Sequence, residues 1–210
     1  MSAVEILKRN LWTNNPIFMQ ILGICSALAV TNLLLNTAIM SIGVILVTGF
    51  SSMTVSLLKS FMPRKVRMIV QTLIIAFYVI IVDLVLKAFL PDISRALGPY
   101  VGLIITNCII MGRAEAFGQS NPPLISFWDG ATSGAGYMGV LMFIAFFREL
   151  LGFGTFFGLQ VMPENFVPWT IMVMPPSAFF LLGLVIWGGK TIMHKQEEAQ
   201  QAVAKEGAKA

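Results

Sequence analysis

No charged residue occurs between Arg9 and Lys59. This stretch is long enough for two membrane-spanning helices of about 20 residues each. The whole composition agrees, since 57% of the residues are hydrophobic and 11% are charged, against roughly a quarter charged in soluble domains. The sequence therefore predicts an integral membrane protein. Its net charge of +4 includes no basic run interleaved with aromatic residues, so no nucleic-acid partner is expected.

Hydrophobic runs separated by polar or proline-containing segments predict six transmembrane helices and an all-α fold. Their predicted ranges are about 17–35, 38–58, 68–90, 99–112, 130–147 and 169–189. The predicted intervening elements include a tight turn at Asn36 and Thr37, a connector at 91–98 and a loop at 118–129. Pro175 and Pro176 fall inside the sixth run and predict an interruption there.

The predicted topology places both termini on one side of the membrane. Positive residues concentrate in the loops of that side, above all between Lys59 and Arg67. Cytoplasmic loops carry such an excess of positive charge, so both termini are predicted to be cytoplasmic. One membrane domain is expected over residues 1–193, followed by a polar cytoplasmic tail over residues 194–210.

The six predicted spans divide into two halves of three, over residues of about 10–90 and 93–190. Because each half has an odd number of spans, the second half is inserted upside down relative to the first. In each half a proline precedes the single cysteine by nine residues; the pairs are Pro16 with Cys25 and Pro99 with Cys108. Inverted repeats place their functional site near the bilayer midplane, on helices that break there. The first and fourth helices are therefore predicted to be broken at mid-membrane.

Cys25 and Cys108 are the two cysteines of the chain, and three interpretations of them are open. They are small apolar packing residues, or they form a disulfide, or they are half of a metal site. An iron–sulfur cluster uses four cysteines and structural zinc uses four ligands. A metal site would therefore need ligands from another chain or a second copy. The small or polar neighbours Gly23, Asn107 and Gly112 favour close packing and backbone amides near a sulfur ligand.

Several charged residues are further candidates. Arg113 and Glu115 are two residues apart and need not pair with each other; they are surface residues at a helix end, or Arg113 is a positive charge beside a reduced cluster. Asp83 is expected to pair with Lys87 four residues on, and it is also an ion-path candidate. Asp129 is expected to cap a helix, with an ion-entry carboxylate as the alternative.

Both cysteine motifs resemble a known family. The segments Gly-Ile-Cys-Ser-Ala-Leu-Ala-Val-Thr around Cys25 and Ile-Thr-Asn-Cys-Ile-Ile-Met-Gly-Arg-Ala-Glu-Ala-Phe around Cys108 carry the resemblance. They are similar to a family of membrane subunits that includes the D subunit of the sodium-translocating NADH:quinone reductase (Nqr) and the E subunit of the RNF ferredoxin:NAD complex. The resemblance covers nearly the whole chain, including residues 146–152 and 175–180. Ser26 favours the quinone-reductase branch.

The resemblance implies a six-span subunit of the bacterial inner membrane. It would share a [2Fe–2S] cluster with a paralogous partner, the E subunit of the reductase, inserted with the opposite topology. Cys25 and Cys108 match the two cysteines that this chain would contribute. Flavins, NADH and ubiquinone would be bound by other members of the complex, among the A, B, C and F subunits. The complex would reduce ubiquinone and export sodium, and this chain would not be catalytic alone.

A non-redox transporter with a substrate site at the midplane is the competing interpretation. Its cysteines would be packing residues. A cluster gives visible absorbance and an electron paramagnetic resonance signal, and a simple transporter gives neither. The RNF branch of the same family is a second alternative.

Overall fold

A computed structural model of the protein describes residues 17, 22–63, 65–89, 91–157, 159–160 and 169–207. Helices account for most of them. The α-helices are α1 (Ile24–Val30), α2 (Leu34–Leu58), α3 (Arg67–Phe89), α4 (Pro91–Ile105), α5 (Cys108–Arg113), α6 (Pro123–Gly152), α7 (Thr170–Val173) and α8 (Pro175–Gly207). A π-helical turn, Ala114–Gly118, continues α5, and the strands β1 (Thr155–Phe156) and β2 (Leu159–Gln160) form an antiparallel pair.

Four helical segments in the described part of the chain are long and apolar enough to cross a membrane. They are Leu34–Leu58, Arg67–Phe89, Tyr100–Gly118 and Pro123–Gly152. The α3 helix is apolar around most of its circumference and mostly exposed, as expected for a helix that faces lipid. The predicted all-α membrane class is confirmed. Six spans, the inverted repeat and the single domain over residues 1–193 stay predictions.

The α2 and α6 helices form the central pair, and small residues bring their backbones together. A Cβ atom added at Gly130 would lie 2.7 Å from the Thr48 carbonyl oxygen, and one at Gly134 would lie 3.0 Å from the Ile45 Cα atom. Close backbone approach of this kind is how membrane helices gain van der Waals contact with each other. The pair provides the surface against which the cysteine-bearing segments pack.

The predicted turn at Asn36 and Thr37 is wrong. Residues 31–33 form the turn, and both Asn36 and Thr37 lie inside α2. The Thr37 hydroxyl donates to the Leu33 carbonyl oxygen at 2.8 Å and contacts the Val30 carbonyl oxygen at 3.0 Å. Because this hydroxyl reaches the last residue of α1, Thr37 stabilises the connection between α1 and α2, although it lies within α2 itself.

The predicted boundaries of the fourth and fifth spans are also wrong. The α4 helix begins at Pro91 rather than near Pro99, so the predicted connector over residues 91–98 is helical. The α6 helix begins at Pro123 rather than near Gly130 and includes much of the predicted loop. Proline suits the first turn of a helix because its missing N–H has no partner to lose there.

Two interruptions agree with the sequence analysis, which predicts a break in the fourth helix without giving its position and an interruption at Pro175 and Pro176. Thr106 and Asn107 separate α4 from α5, and Met174 separates α7 from α8 immediately before Pro175. Whether these breaks lie at mid-membrane stays a prediction.

The first span has non-helical residues, Leu22 and Gly23, immediately before α1. Its predicted start at Pro16 lies outside the described residues. At the other end of the chain, α8 continues to Gly207. The polar tail is therefore helical as far as the structure describes it.

Candidate metal centre

Each cysteine lies in the first turn of a short helix. Cys25 is the second residue of α1, which follows Gly23 with a φ of 83°. Glycine adopts this left-handed conformation without the steric cost of a Cβ atom, so Gly23 determines where α1 begins. Cys108 is the first residue of α5, and Asn107 caps that helix by accepting a hydrogen bond from the Ile109 N–H at 3.1 Å. The cysteines thus occupy similar positions on two helices.

A buried hydrogen-bond network joins the two cysteine segments. The Ser26 hydroxyl is hydrogen-bonded to the Tyr137 hydroxyl and lies 3.1 Å from the Gly23 carbonyl oxygen. The Tyr137 hydroxyl also lies 3.2 Å from that carbonyl, and the Asn107 amide donates to the Ser26 oxygen at 3.4 Å. Ser26, Asn107 and Tyr137 are all buried. The residue that follows Cys25 is therefore tied to the residue that precedes Cys108.

Gly23 and Gly112 allow the two segments to approach each other. A Cβ atom at Gly23 would lie 2.8 Å from the Ile109 Cδ1 atom and 2.8 Å from the Tyr137 ring. A Cβ atom at Gly112 would lie 3.1 Å from the Leu22 Cδ1 atom. In this structure both glycines serve the contact between segments, and their predicted role beside a cluster stays a prediction.

The cysteine side chains themselves are exposed, and both are free thiols. The disulfide interpretation is therefore not the arrangement seen in the structure. Inert packing would favour burial, because free cysteine is among the most buried residue types. Within the described ranges, no three His, Cys, Asp or Glu side chains are grouped as metal ligands. The chain presents two surface thiols, and a four-ligand site would need further ligands from elsewhere.

Arg113 forms a buried ion pair with Asp129. Its Nη2 atom lies 2.6 Å from the Asp129 Oδ1 atom, and the two side chains are 6% and 1% exposed. The interpretation of Arg113 as a surface residue is therefore wrong. The predicted capping role of Asp129 is also wrong, because α6 begins at Pro123 and its N-cap is Pro122. An ion-path role for Asp129 stays a prediction.

The remaining charged candidates pair elsewhere. Glu115 contacts Arg67 and accepts a hydrogen bond from the Gln71 amide at 2.8 Å, so it does not depend on Arg113. Asp83 and Lys87 form the predicted pair, with 2.5 Å between Oδ2 and Nζ. The Lys87 side chain is 60% exposed, so this pair lies at the protein surface. The ion-path role of Asp83 stays a prediction.

Sequence reasoning missed the role of Tyr137 and the burial of Arg148 and Glu149. The Arg148 guanidinium donates to the Thr31 hydroxyl at 2.6 Å and to the Val173 carbonyl oxygen at 3.0 Å. Glu149 accepts a hydrogen bond from the Leu34 N–H at 2.5 Å. These two residues therefore connect α6 to the junction between α1 and α2 and to the end of α7. The signal that could have found them is an adjacent Arg-Glu pair at the end of an apolar run.

These features define a multi-pass helical membrane protein that presents two thiols from adjoining broken segments. Its sequence matches the family described as "Rnf-Nqr subunit, membrane protein" over residues 3–186. The chain belongs to this family, and the resemblance drawn from the cysteine motifs is confirmed.

Relatives from several bacteria are similar over most of the chain. The D subunit of the Na(+)-translocating NADH-quinone reductase of Pseudomonas paraeruginosa is 50% identical over 200 residues, which cover 93% of this chain and 90% of that protein. The protein of the same name from Photobacterium profundum is 52% identical over 193 residues, with coverage of 90% and 92%. The one from Aeromonas hydrophila is 50% identical over 192 residues, with coverage of 89% and 91%.

Proposed function

We propose that this chain is the D-type membrane subunit of a sodium-translocating NADH:quinone reductase. In that complex it contributes Cys25 and Cys108 to a [2Fe–2S] cluster at a subunit interface. The observation that carries the proposal is the exposure of both thiols at two helix starts that are joined through buried Ser26 and Asn107. The names of relatives at about 50% identity support the assignment to this complex.

The available donors fit half of such a cluster. A [2Fe–2S] cluster is held by four cysteine thiolates, and this chain has two cysteines. The other two thiolates are assigned to the paralogous E subunit, inserted with the opposite topology. Thiolate charge is costly in hydrocarbon, and four ligands around two metal ions would spread that charge.

The residues of this chain position the ligands. When bound, the cluster supplies one-electron transfer within the membrane. Gly23 and Asn107 determine the starts of the helices that carry the cysteines, and Gly112 permits the contact between the segments. Arg113 lies on the same helix as Cys108. Because Asp129 pairs with it, this buried pair has little net charge.

The A, B, C, E and F subunits complete the proposed complex and hold the flavins, NADH and ubiquinone. Electrons would cross the membrane region between a flavin on the cytoplasmic side and a covalent flavin on the other. The chain would span the bacterial inner membrane six times with both termini in the cytoplasm. Asp129 and Asp83 are the proposed ion-path carboxylates.

Replacement of each cysteine in the complete complex tests the proposal. Cys25→Ala and Cys108→Ala should each abolish the electron paramagnetic resonance signal of the cluster, the corresponding iron and quinone reduction. Oxidation of NADH with an artificial acceptor should continue. Retention of iron and of normal quinone reduction in both variants would contradict the proposal.

Thr106→Ala is a matched control. Thr106 is exposed, lies two residues before Cys108, and its hydroxyl contacts the Gly102 carbonyl oxygen at 3.5 Å. This variant should retain the cluster signal. Measurements on the wild-type complex also distinguish the alternative functions. A non-redox transporter shows no cluster signal, and an RNF-type complex exchanges electrons with ferredoxin rather than quinone.

A further inference from the structure

We propose that Tyr137 is the positioning residue that fixes the two cysteine segments relative to each other. This inference rests on the proposed cluster at Cys25 and Cys108. Tyr137 belongs to α6 and is fully buried. The α6 helix is separate from both cysteine helices, and the Tyr137 hydroxyl is hydrogen-bonded to Ser26, the residue that follows Cys25.

The hydroxyl and the ring of Tyr137 make separate contacts. The hydroxyl is hydrogen-bonded to Ser26 and donates to the Gly23 carbonyl oxygen at 3.2 Å. The ring packs against the site of the missing Gly23 side chain, where a Cβ atom would lie 2.8 Å from the Cε2 atom. The ring therefore determines how closely α1 approaches, and the hydroxyl orients its first turn.

Ser26 transmits this contact to the second segment. Its oxygen accepts a hydrogen bond from the Asn107 amide at 3.4 Å. Because Ser26 follows Cys25 and Asn107 precedes Cys108, a displacement of either residue moves the neighbouring thiol. Residues that contact the ligands of a metal, without contacting the metal itself, alter its redox properties as well as the affinity of the site for it. Loss of the Tyr137 hydroxyl should therefore change the cluster without removing its ligands.

The test is Tyr137→Phe in the complete complex. The ring stays, and Ser26 keeps its contacts with Gly23 and Asn107, so we expect wild-type iron content. The g-values of the reduced cluster and its midpoint potential should differ from those of the wild type. Loss of iron to a chelator should be about tenfold faster, the effect of one lost hydrogen bond.

Tyr78→Phe is the matched control. The Tyr78 hydroxyl is hydrogen-bonded to the Thr54 hydroxyl at 2.7 Å between α3 and α2, and neither residue contacts the cysteine segments in the network above. This variant should leave the cluster spectrum and the rate of iron loss unchanged. An equal change in Tyr78→Phe and Tyr137→Phe would overturn the inference, because the effect would then be general.

Ser26→Ala provides a second test of the inference, and it replaces the first if the complex that carries Tyr137→Phe does not assemble. It should shift the spectrum in the same direction. If the two residues act together, the double variant should be no worse than the more severe single variant. A spectrum and chelation rate identical to wild type in Tyr137→Phe, or in Ser26→Ala, would overturn the inference. A wild-type complex without any cluster signal would instead overturn the proposed function.

Discussion

The two cysteine segments reach similar positions by different local chemistry. The α1 helix follows a left-handed glycine, Gly23, and has no side-chain cap, whereas α5 is capped by the Asn107 side chain. In both segments a helix begins next to a cysteine, after Gly23 in one and after Asn107 in the other. Two segments of a membrane protein can thus place a cysteine in the first turn of a helix while sharing little local sequence. The common position of Cys25 and Cys108 is more informative than the identity of their neighbours.

The two cysteine segments also differ in buried charge. Five residues after Cys25 lies Val30, which is buried and apolar, and five residues after Cys108 lies Arg113, which is buried and paired with Asp129. The ion pair therefore distinguishes the second segment from the first.

The largest effect is expected from Asp129→Asn, which removes the carboxylate that pairs with the buried Arg113. Loss of one partner of a buried pair costs about 3–5 kcal/mol. The midpoint of thermal unfolding of the purified complex should fall accordingly. The double variant with Arg113→Met and Asp129→Leu should recover much of that loss, because apolar residues need no charged partner. If Asp129→Asn kept wild-type stability, the buried ion pair would not be an energetic difference between the Cys108 segment and the Cys25 segment.

The same variant tests the proposed ion path. If Asp129 lies on that path, Asp129→Asn should raise the sodium concentration needed for half-maximal turnover. Turnover measured against sodium, in protein that has remained assembled, gives the answer. An unchanged sodium dependence would leave Asp129 with a structural role alone.

Gly23→Ala should have the next largest effect and would act on the first segment. The left-handed conformation costs a residue with a side chain about 1–2 kcal/mol, and overpacking adds about 1–3 kcal/mol. We expect a lower unfolding temperature and weaker contact with α5. Gly102→Ala is the control, since a Cβ atom there would meet nothing within 4 Å. Equal effects of the two substitutions would show that the conformation of Gly23 is unimportant.

Asn107→Ala should cost less, because the loss of a helix N-cap costs about 1 kcal/mol. The unfolding temperature of the complex again measures the effect. Asn107→Asp retains the acceptor that caps α5 and loses the amide donated to Ser26. It should therefore recover the capping contribution alone. No difference between the Ala and Asp variants would mean that the cap does not stabilise this segment.

The smallest effect is expected from Asp83→Asn. Its pair with Lys87 is at the surface, and exposed pairs of this spacing contribute about 0.3–0.5 kcal/mol. The unfolding temperature should barely change, and added salt should reduce the difference further. A loss as large as that of Asp129→Asn would contradict the distinction between an exposed pair in one half and a buried pair in the other.

Local signals are sufficient to predict some of the site. Pro175 disrupts a helix, so the interruption before it is predicted. Asn107 is a strong capping residue, and this property is the signal that could have located the break in the fourth helix. The equal spacing of Cys25 and Cys108 to prolines predicts that the two residues are related, and the structure joins their segments through Ser26 and Asn107. The helix boundaries are less accurate, because Pro91 and Pro123 start helices in segments whose polar residues favour connections.

The contacts between distant residues could not be predicted from one sequence. Tyr137 lies in an apolar run, and its importance comes from Ser26, 111 residues away. Arg148 and Asp129 lie at the ends of the shorter fifth span that the sequence predicts. Because α6 extends from Pro123 to Gly152, both residues fall inside it and are buried against partners from other helices.

The order of synthesis gives the contacts of Arg148 and Glu149 a further consequence. Glu149 accepts a hydrogen bond from the Leu34 N–H, which lies 115 residues earlier in the chain. Arg148 donates one to the Thr31 hydroxyl, 117 residues earlier. The ribosome completes α2 long before it reaches the last turn of α6. The junction between α1 and α2 therefore lacks these two side chains while the first half enters the membrane. Only translation to the end of α6 supplies the two side chains, so the contacts at this junction form after most of the chain has been made.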